Sequence, residues 1–308
     1  MTAQAPTAID LSRLPFPDAI EPLDFETMLD AFMARFQASW DEMREIDPSL
    51  PAYDVGALET DPIVILGQAD TYLRLLDRRR VNDGIKALLA PRATGSNLDN
   101  VVARQGIARL VVVPASEGQP AVMETDAALL RRYLLSFDRP SAGSAGRYLY
   151  EAWTAAPTLA DARVNGRAVH GRVGDTDVVI AGSEGADPTP EQIAAVQAAV
   201  LHPHVKPEAV GVAVIPATRV EYRVEQKILV PVGPDAELVR AEAEARVRAV
   251  ALSRMMIGAA VPRDLIAGAA FGPSIVNVGH AAPAGDIAAH PYAIPVCTEF
   301  AISVEVAP

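Results

Sequence analysis

Between Phe25 and Ile46 the apolar residues fall at Phe25, Met28, Leu29, Phe32, Met33, Phe36, Trp40 and Met43. Steps of three and four residues wind these side chains into one continuous face at the helical period. Glu26, Asp30, Asp41 and Glu45 take the opposite side, and Asp24 stands where an N-cap is needed. The spacing predicts a helix over Phe25–Ile46. Its stripe holds three of the seven Phe and one of the two Trp in the chain. Two readings stand side by side: packing within the chain's own core, or docking into a helical bundle with another chain.

After a loop with Pro48 and Pro51, Thr60-Asp61-Pro62 supplies a capping residue and a proline for a first turn. The apolar positions Ile63, Leu66, Leu73, Leu76, Ile85 and Leu88 then recur up to Pro91. A helix of about 30 residues, roughly 45 Å, is expected. That is longer than one small domain needs and suits a rod shared with neighbouring chains. Leu73 and Leu76 join the stripe of the first helix as the predicted bundle interface. Arg78-Arg79-Arg80 sits near the middle of the rod. It reads either as a solvated face with i,i+4 pairs or as an intersubunit ionic contact, with the acidic arm as one candidate partner.

Gly95-Ser96-Asn97 is expected to cap a short helix over Leu98–Gln105, and Val111–Val113 to pass into a Gly/Pro linker at Pro114–Pro120. Next come helices over Thr125–Phe137 and from about Arg147 to Thr154, then β runs at Ala160–Ala168 and Thr176–Ile180. A helix over Glu191–Leu201, with Pro190 in its first turn, and a strand Val210–Ile215 complete an α/β segment. Beyond Pro216, the positions Val220, Tyr222, Val224, Gln226, Ile228 and Val230 alternate as an amphipathic strand. A long helix from Pro234-Asp235 to about Met256, a helix Arg263–Ala270, and strands Ile275–Val278 and Thr298–Val306 follow. That order implies a small open sheet carrying two helices.

The expected fold class is therefore α+β. It is an elongated multidomain chain, with an N-terminal helical arm and bundle followed by two small α/β domains. The segments are 1–60 (arm and amphipathic helix), 61–113 (long-helix region), 114–215 and 216–308. Pro6, Pro15, Pro17 and Pro22 make residues 1–23 an extended arm. Such an arm is loose unless something holds it, and a partner chain is the simplest candidate. The linkers Pro114–Pro120 and Pro216–Thr218 are candidate hinges.

Charge narrows the partners. The formal net charge is −12, and residues 1–60 carry twelve acidic residues against three basic ones. An acidic arm repels phosphate backbones, so a basic protein surface is a better partner than nucleic acid. The one cysteine, Cys297, rules out an intrachain disulfide and fits a reducing compartment. It reads as a small buried hydrophobe. Residues 1–18 lack the apolar core of a signal peptide, and no apolar run approaches the roughly 18 residues needed to span a bilayer.

Catalytic chemistry is sparse. Ala142-Gly143-Ser144-Ala145-Gly146 resembles a degraded nucleophile elbow, but a helix and Pro140 precede it where a strand is required. Ser144 as a hydrolase nucleophile is the remote alternative; a Gly-rich turn between helices is the plain reading. Its exposed N–H groups could also take an anion or a partner's carboxylate. The pair His202 and His204 flanks Pro203 without a third ligand nearby, and Asp175 with Asp177 lacks the oxygen run of a calcium loop. No phosphate-binding glycine loop and no CxxC occurs. No catalytic, metal or cofactor-binding residue is assigned, and no cofactor is expected.

Seven stretches, in order along nearly the whole chain, carry a resemblance. Ile9-Asp10-Leu11-Ser12-Arg13-Leu14-Pro15-Phe16-Pro17-Asp18 is followed by Leu23-Asp24-Phe25-Glu26-Thr27 and Arg80-Val81-Asn82-Asp83. Gly95-Ser96-Asn97-Leu98-Asp99 with Arg109-Leu110 comes next. Then come Met123-Glu124-Thr125-Asp126 with Arg131-Arg132, Ala142-Gly143-Ser144 with Tyr148, and Cys297-Thr298-Glu299. Together they resemble the baseplate assembly protein J family. The resemblance implies a non-enzymatic wedge component of a contractile phage-tail baseplate, assembled in the host bacterial cytoplasm. It implies pairing with a second copy, a helical bundle with other wedge proteins, and wedges joined through C-terminal parts into a ring around central hub and spike proteins. The ring would relay the trigger for sheath contraction. A tailocin or another contractile injection system is the alternative setting. No nucleic acid or membrane partner is expected.

Overall fold

The computed structural model describes residues 15–54 and 58–307. The first part of the arm, with Pro6 and the Ile9–Leu14 stretch, lies outside the described residues. The fold is α+β, and its contacts divide it into a helical unit up to Ala108 and an α/β unit from Arg109 onward.

The helical unit holds α1 (Phe25–Ile46), α2 (Pro62–Ala87) and α3 (Gly95–Ala103). The Asp24 carboxylate accepts from the Thr27 N–H and caps α1 as expected. Asp61 caps α2 through the Ile63 N–H, with Pro62 in the first turn. α2 has 26 residues and stops at Ala87, short of Pro91. The Leu88 N–H turns back to the Ile85 and Lys86 carbonyls, and tight turns carry the chain past Pro91. α3 starts before the expected Leu98: Thr94 takes the N-cap position, and Gly95 is already inside the helix.

In the α/β unit, β1 (Val111–Val113) pairs antiparallel with β2 (Val122–Met123). The expected linker Pro114–Pro120 is thus the connection of a hairpin. α4 (Asp126–Ser136) and α5 (Ala145–Ala155) follow, capped by Thr125 and Ser144. The first sheet runs β3 (Asp161–Asn165), β4 (Asp175–Ala181), β5 (Gly211–Pro216), antiparallel then parallel. A short helix α6 (Arg167–His170) ends what the sequence read as a strand to Ala168, and α7 (Pro190–Val200) bears a full capping box from Thr189 and Gln192.

The second sheet has the order β7 (Asn277–Ala282), β6 (Thr218–Val230), β8 (Ala293–Val306). β6 and β8 run parallel from Thr218 beside Ala293 to Val230 beside Val306. Their register shifts once, where Cys297 faces Tyr222 and Glu299 faces Arg223, leaving Thr298 as the extra residue of a bulge. The Thr298 hydroxyl donates to the Tyr222 carbonyl. α8 (Ala236–Arg254) and α9 (Arg263–Ala269) cover one face. Val224, Ile228 and Val230 of β6 pack there against Val239, Ala243, Val247 and Ala251 of α8 and Ile266 of α9.

The two sheets share a core of Val179, Ala181, Ala217, Ile257, Ile294 and Val296. Polar bonds reinforce it. The buried Asp177 accepts from the Tyr292 hydroxyl at 2.6 Å, Asn165 donates to the Pro291 carbonyl, and the Ile257 N–H donates to Asp161. Burial pushes the Asp161 carboxyl above the ordinary carboxylate range. The proposed hinge at Pro216–Thr218 lies inside this joint. Ala217 is buried, its N–H bonds the Ile180 carbonyl, and the Thr218 N–H bonds the Tyr292 carbonyl. A link hydrogen-bonded to both sheets resists rotation.

Candidate assembly surfaces

α1 rests on α2 where α2 offers no side chain. A Cβ on Gly67 would come within 2.7 Å of the Phe32 ring and 3.2 Å of Leu29. Phe36 stands edge-on to Tyr53 at 4.9 Å and stacks toward Trp40, whose indole N–H donates to the Pro51 carbonyl. Tyr53 in turn donates to the Asp61 cap. The loop after α1 therefore folds back over the second half of its stripe.

That cover is thin. No residue of α1 is buried. Phe25, Met28, Leu29, Phe32, Met33, Phe36 and Trp40 stay half-buried, Met43 is 51% exposed, and Ile46 is 78% exposed. A cleft of about 440 Å³ opens between α1 and α2, lined by Met28, Phe32, Phe36, Arg35, Arg74 and Arg78. α2 buries Val64, Gly67, Thr71 and Asn82 along one side. Ile65, Leu66, Tyr72, Leu73 and Leu76 form a second stripe on another side, each at least 42% exposed. The ten residues expected as one bundle surface are thus split. Met28, Leu29, Phe32 and Phe36 of α1 border the α1–α2 seam, whereas Leu73 and Leu76 belong to the exposed stripe of α2.

The three arginines also part company. Arg78 pairs with Glu21 at 2.5 Å and donates to the Pro22 carbonyl. The buried Asn82 completes this anchor: its amide donates to the Glu21 carbonyl at 2.7 Å, and its oxygen accepts the Glu21 N–H. Arg92 and Lys86 sit over the Phe16 ring at 4.7 and 5.7 Å. The end of the arm is therefore tied to α2 of the same chain, and Arg78 meets an acid of that arm. Arg79 faces Asp83 at 3.8 Å one turn on. Arg80 is exposed and makes no ion pair among the described residues.

In the α/β unit, Glu124 and Arg132 form a buried two-bonded pair, each contact 2.7 Å. Glu124 also accepts the Leu110 N–H, and its carbonyl accepts from Arg109, which pairs with Asp126 at 2.6 Å. The charged motif around Met123–Asp126 and Arg132 thus clamps the base of the β1–β2 hairpin onto α4. Arg131 lies 4.1 Å from the Trp153 ring, and burial lowers its pKa.

The catalytic and ligand candidates resolve into structural parts. The Ser144 hydroxyl accepts the Arg147 N–H as the cap of α5. Gly143 takes a positive φ of 77° against Pro207. The Asp138 carboxylate lies so close to Gly146 that a methyl group there would overlap it. The chain's own acid therefore sits at the helix start that could have taken a foreign anion. His202 turns its Nδ1 back to the His204 N–H. Among the described residues, no group of three or more His, Cys, Asp or Glu side chains gathers for a metal. No described helix is long and apolar enough to cross a membrane. Cys297 is half-buried, and burial pushes its thiol above the ordinary value.

Two polar groups escaped the sequence reading. Asp177, which the sequence presents only beside Asp175 as an incomplete calcium loop, anchors the joint between the sheets. Gln226 sits on the buried side of β6 at 2% exposure. Its place in the apolar half of the alternation was the available signal.

Residues 59–116, which span α2, α3 and β1, match the family model described as the baseplate J-like N-terminal domain. Over 310 aligned residues the chain is 29% identical to baseplate protein J of Escherichia phage P2, covering 96% of this chain and 97% of that protein. The chain resembles the baseplate J family along nearly its whole length.

Proposed function

From a chain that is similar to a phage baseplate protein J almost end to end, we propose that this protein is a structural component of a phage tail baseplate, with no catalytic role. The finer reading is a wedge component: two copies pair, their N-terminal helices enter a bundle with other wedge proteins, and C-terminal parts join wedges into a ring around hub and spike proteins. In this reading the ring relays the trigger for sheath contraction, and assembly takes place in the host cytoplasm.

One observation carries the bundle. The helical unit leaves apolar surface uncovered on both long helices: the α1 stripe is only half-buried, with Met43 and Ile46 exposed, and Ile65, Leu66, Tyr72, Leu73 and Leu76 of α2 are exposed. Burying a large apolar side chain contributes about 1.5–3 kcal/mol. Five such residues on α2, each about half exposed, offer on the order of 4–8 kcal/mol, comparable with the lower end of the cost of docking, so a stable bundle also draws on the α1 stripe. The anchor at Glu21 adds to this reading, because an arm fixed by Arg78 and Asn82 enters a bundle at a set point.

A cryo-EM map of the parent particle tests the proposal. The expected result is that α1 and the exposed stripe of α2 lie against helices of other chains, in two copies per wedge. A map in which Leu73, Leu76 and Met43 face solvent refutes the bundle and leaves only the baseplate assignment.

A further inference from the structure

Gln226 and His280 couple the second sheet to α9 through one buried amide. The Gln226 Nε2 group donates to the Ile266 carbonyl of α9 at 2.9 Å and to the His280 Nδ1 of β7 at 3.1 Å. On its far side, His280 Nε2 lies 3.1 Å from the Pro283 carbonyl. A carbonyl only accepts, so Nε2 carries the proton and Nδ1 is the acceptor. Two acceptors facing Nε2 also fix the orientation of the amide. The Gln226 oxygen is buried without a hydrogen-bond partner.

We infer that protonation of His280 moves the Gln226 amide from α9 to β7 and so loosens α9 from the sheet in mild acid. A proton on Nδ1 confronts the amide with a donor where it had an acceptor. If the amide turns over, its oxygen accepts from Nδ1–H but then faces the Ile266 carbonyl, which loses its donor. If the amide stays, the bond to His280 is lost and two donors oppose each other. Turning over removes the donor–donor clash and gains a charge-assisted bond at Nδ1 in exchange for the neutral one to Ile266, so the tie to α9 is the one that breaks. The surroundings offer small compensation. Arg263 donates to the His280 carbonyl at 3.4 Å and repels an imidazolium. Asp264, which attracts one, is paired with Arg263 at 3.1 Å, and Asp286 accepts the Arg263 N–H. On β6, Glu225 and Lys227 lie on exposed positions, with Lys227 paired to Glu305 of β8. Desolvation, first among the causes, holds the His280 pKa below the ordinary imidazole value. The sign follows. The folded chain binds this proton less tightly than the unfolded chain. The stability tied to His280 is complete above the ordinary imidazole range and falls as pH drops through it.

Hydrogen exchange of the full chain, read at the α9 amides, tests the switch alongside the nitrogen shifts of His280. The expected result is an Nε2–H tautomer at pH 7.5. After correction for intrinsic rates, exchange of Ile266–Ala269 rises at least about tenfold on acidification, while the amides of α5 stay unchanged. In H280Q the extra opening in acid disappears. Q226M, which breaks the same ties without a titrating group, opens α9 at both pH values, so it serves even where H280Q folds poorly. An Nδ1–H tautomer, or α9 protection that ignores pH in the wild-type chain, overturns the inference.

Discussion

The helical unit and the α/β unit spend their apolar residues differently. On α8, Val239, Ala243, Val247 and Ala251 are all buried against the second sheet. On α1, of similar length, not one residue is buried, although its apolar stripe is the richest in aromatic side chains. Period alone cannot separate the two cases. A stripe of small side chains lets a helix come close to a sheet and close a core. A stripe of Phe, Met and Trp on a single supporting helix leaves part of each side chain uncovered. One unit covers its apolar faces within the chain; the other leaves Met43, Ile46 and the Ile65–Leu76 side of α2 exposed.

If the α/β unit is self-sufficient, damage to it must register in the isolated protein. The largest effect is expected at the buried pair of Glu124 and Arg132. E124Q leaves Arg132 buried beside a neutral partner and should cost about 3–5 kcal/mol. Denaturant unfolding followed by fluorescence measures this, Trp153 being stacked under Arg131 in the same region. An apolar replacement of both residues, E124M with R132L, should cost much less, because no charge is left stranded. An E124Q chain as stable as the wild type would mean that the hairpin base is not clamped as the geometry requires.

What the sequence made legible follows the same divide between local and distant causes. α1 was readable to both ends because its stripe and its Asp24 cap are local features. α2 ran past its true end in the reading: Ile85 and Leu88 keep the apolar period, while the stop is set by turns after Ala87. β2 has two residues and α6 four, too few for any period to show. The partners of charged residues were the least readable. Arg78 lies 57 residues from Glu21, and Asp177 lies 115 from Tyr292. Nothing local distinguishes Arg78, which holds the arm, from Arg80, which faces solvent. Ser144 shows the converse: a short motif suggested chemistry, and its hydroxyl caps a helix.

A middle-sized effect probes the seam inside the helical unit. Gly67 is where Phe32 meets the α2 backbone, so G67V forces the ring away. Overpacking of this kind costs about 1–3 kcal/mol. With so little else holding α1, the expected outcome is detachment of α1 and not global unfolding. Limited proteolysis should then cut within residues 47–61, while the α/β unit keeps its melting temperature. Cleavage of wild type and variant at equal rates would show that α1 does not depend on this contact.

The smallest effect on the isolated chain falls on the residues with the largest expected effect in assembly. Leu73 and Leu76 are 61% and 42% exposed. Replacing both with serine removes no buried contact, so unfolding free energy should stay within about 0.5 kcal/mol of wild type. If the stripe is an interface, the same pair of changes forfeits about 3 kcal/mol or more of burial. Affinity for whatever covers it then falls at least about 100-fold. Sedimentation of the purified chain reads self-association, and co-purification with co-expressed candidate partners reads hetero-association. The comparison between the two units depends on this separation of effects. A serine variant that unfolds more easily would place the stripe inside the chain's own core, whereas one that assembles normally would make it plain solvent surface.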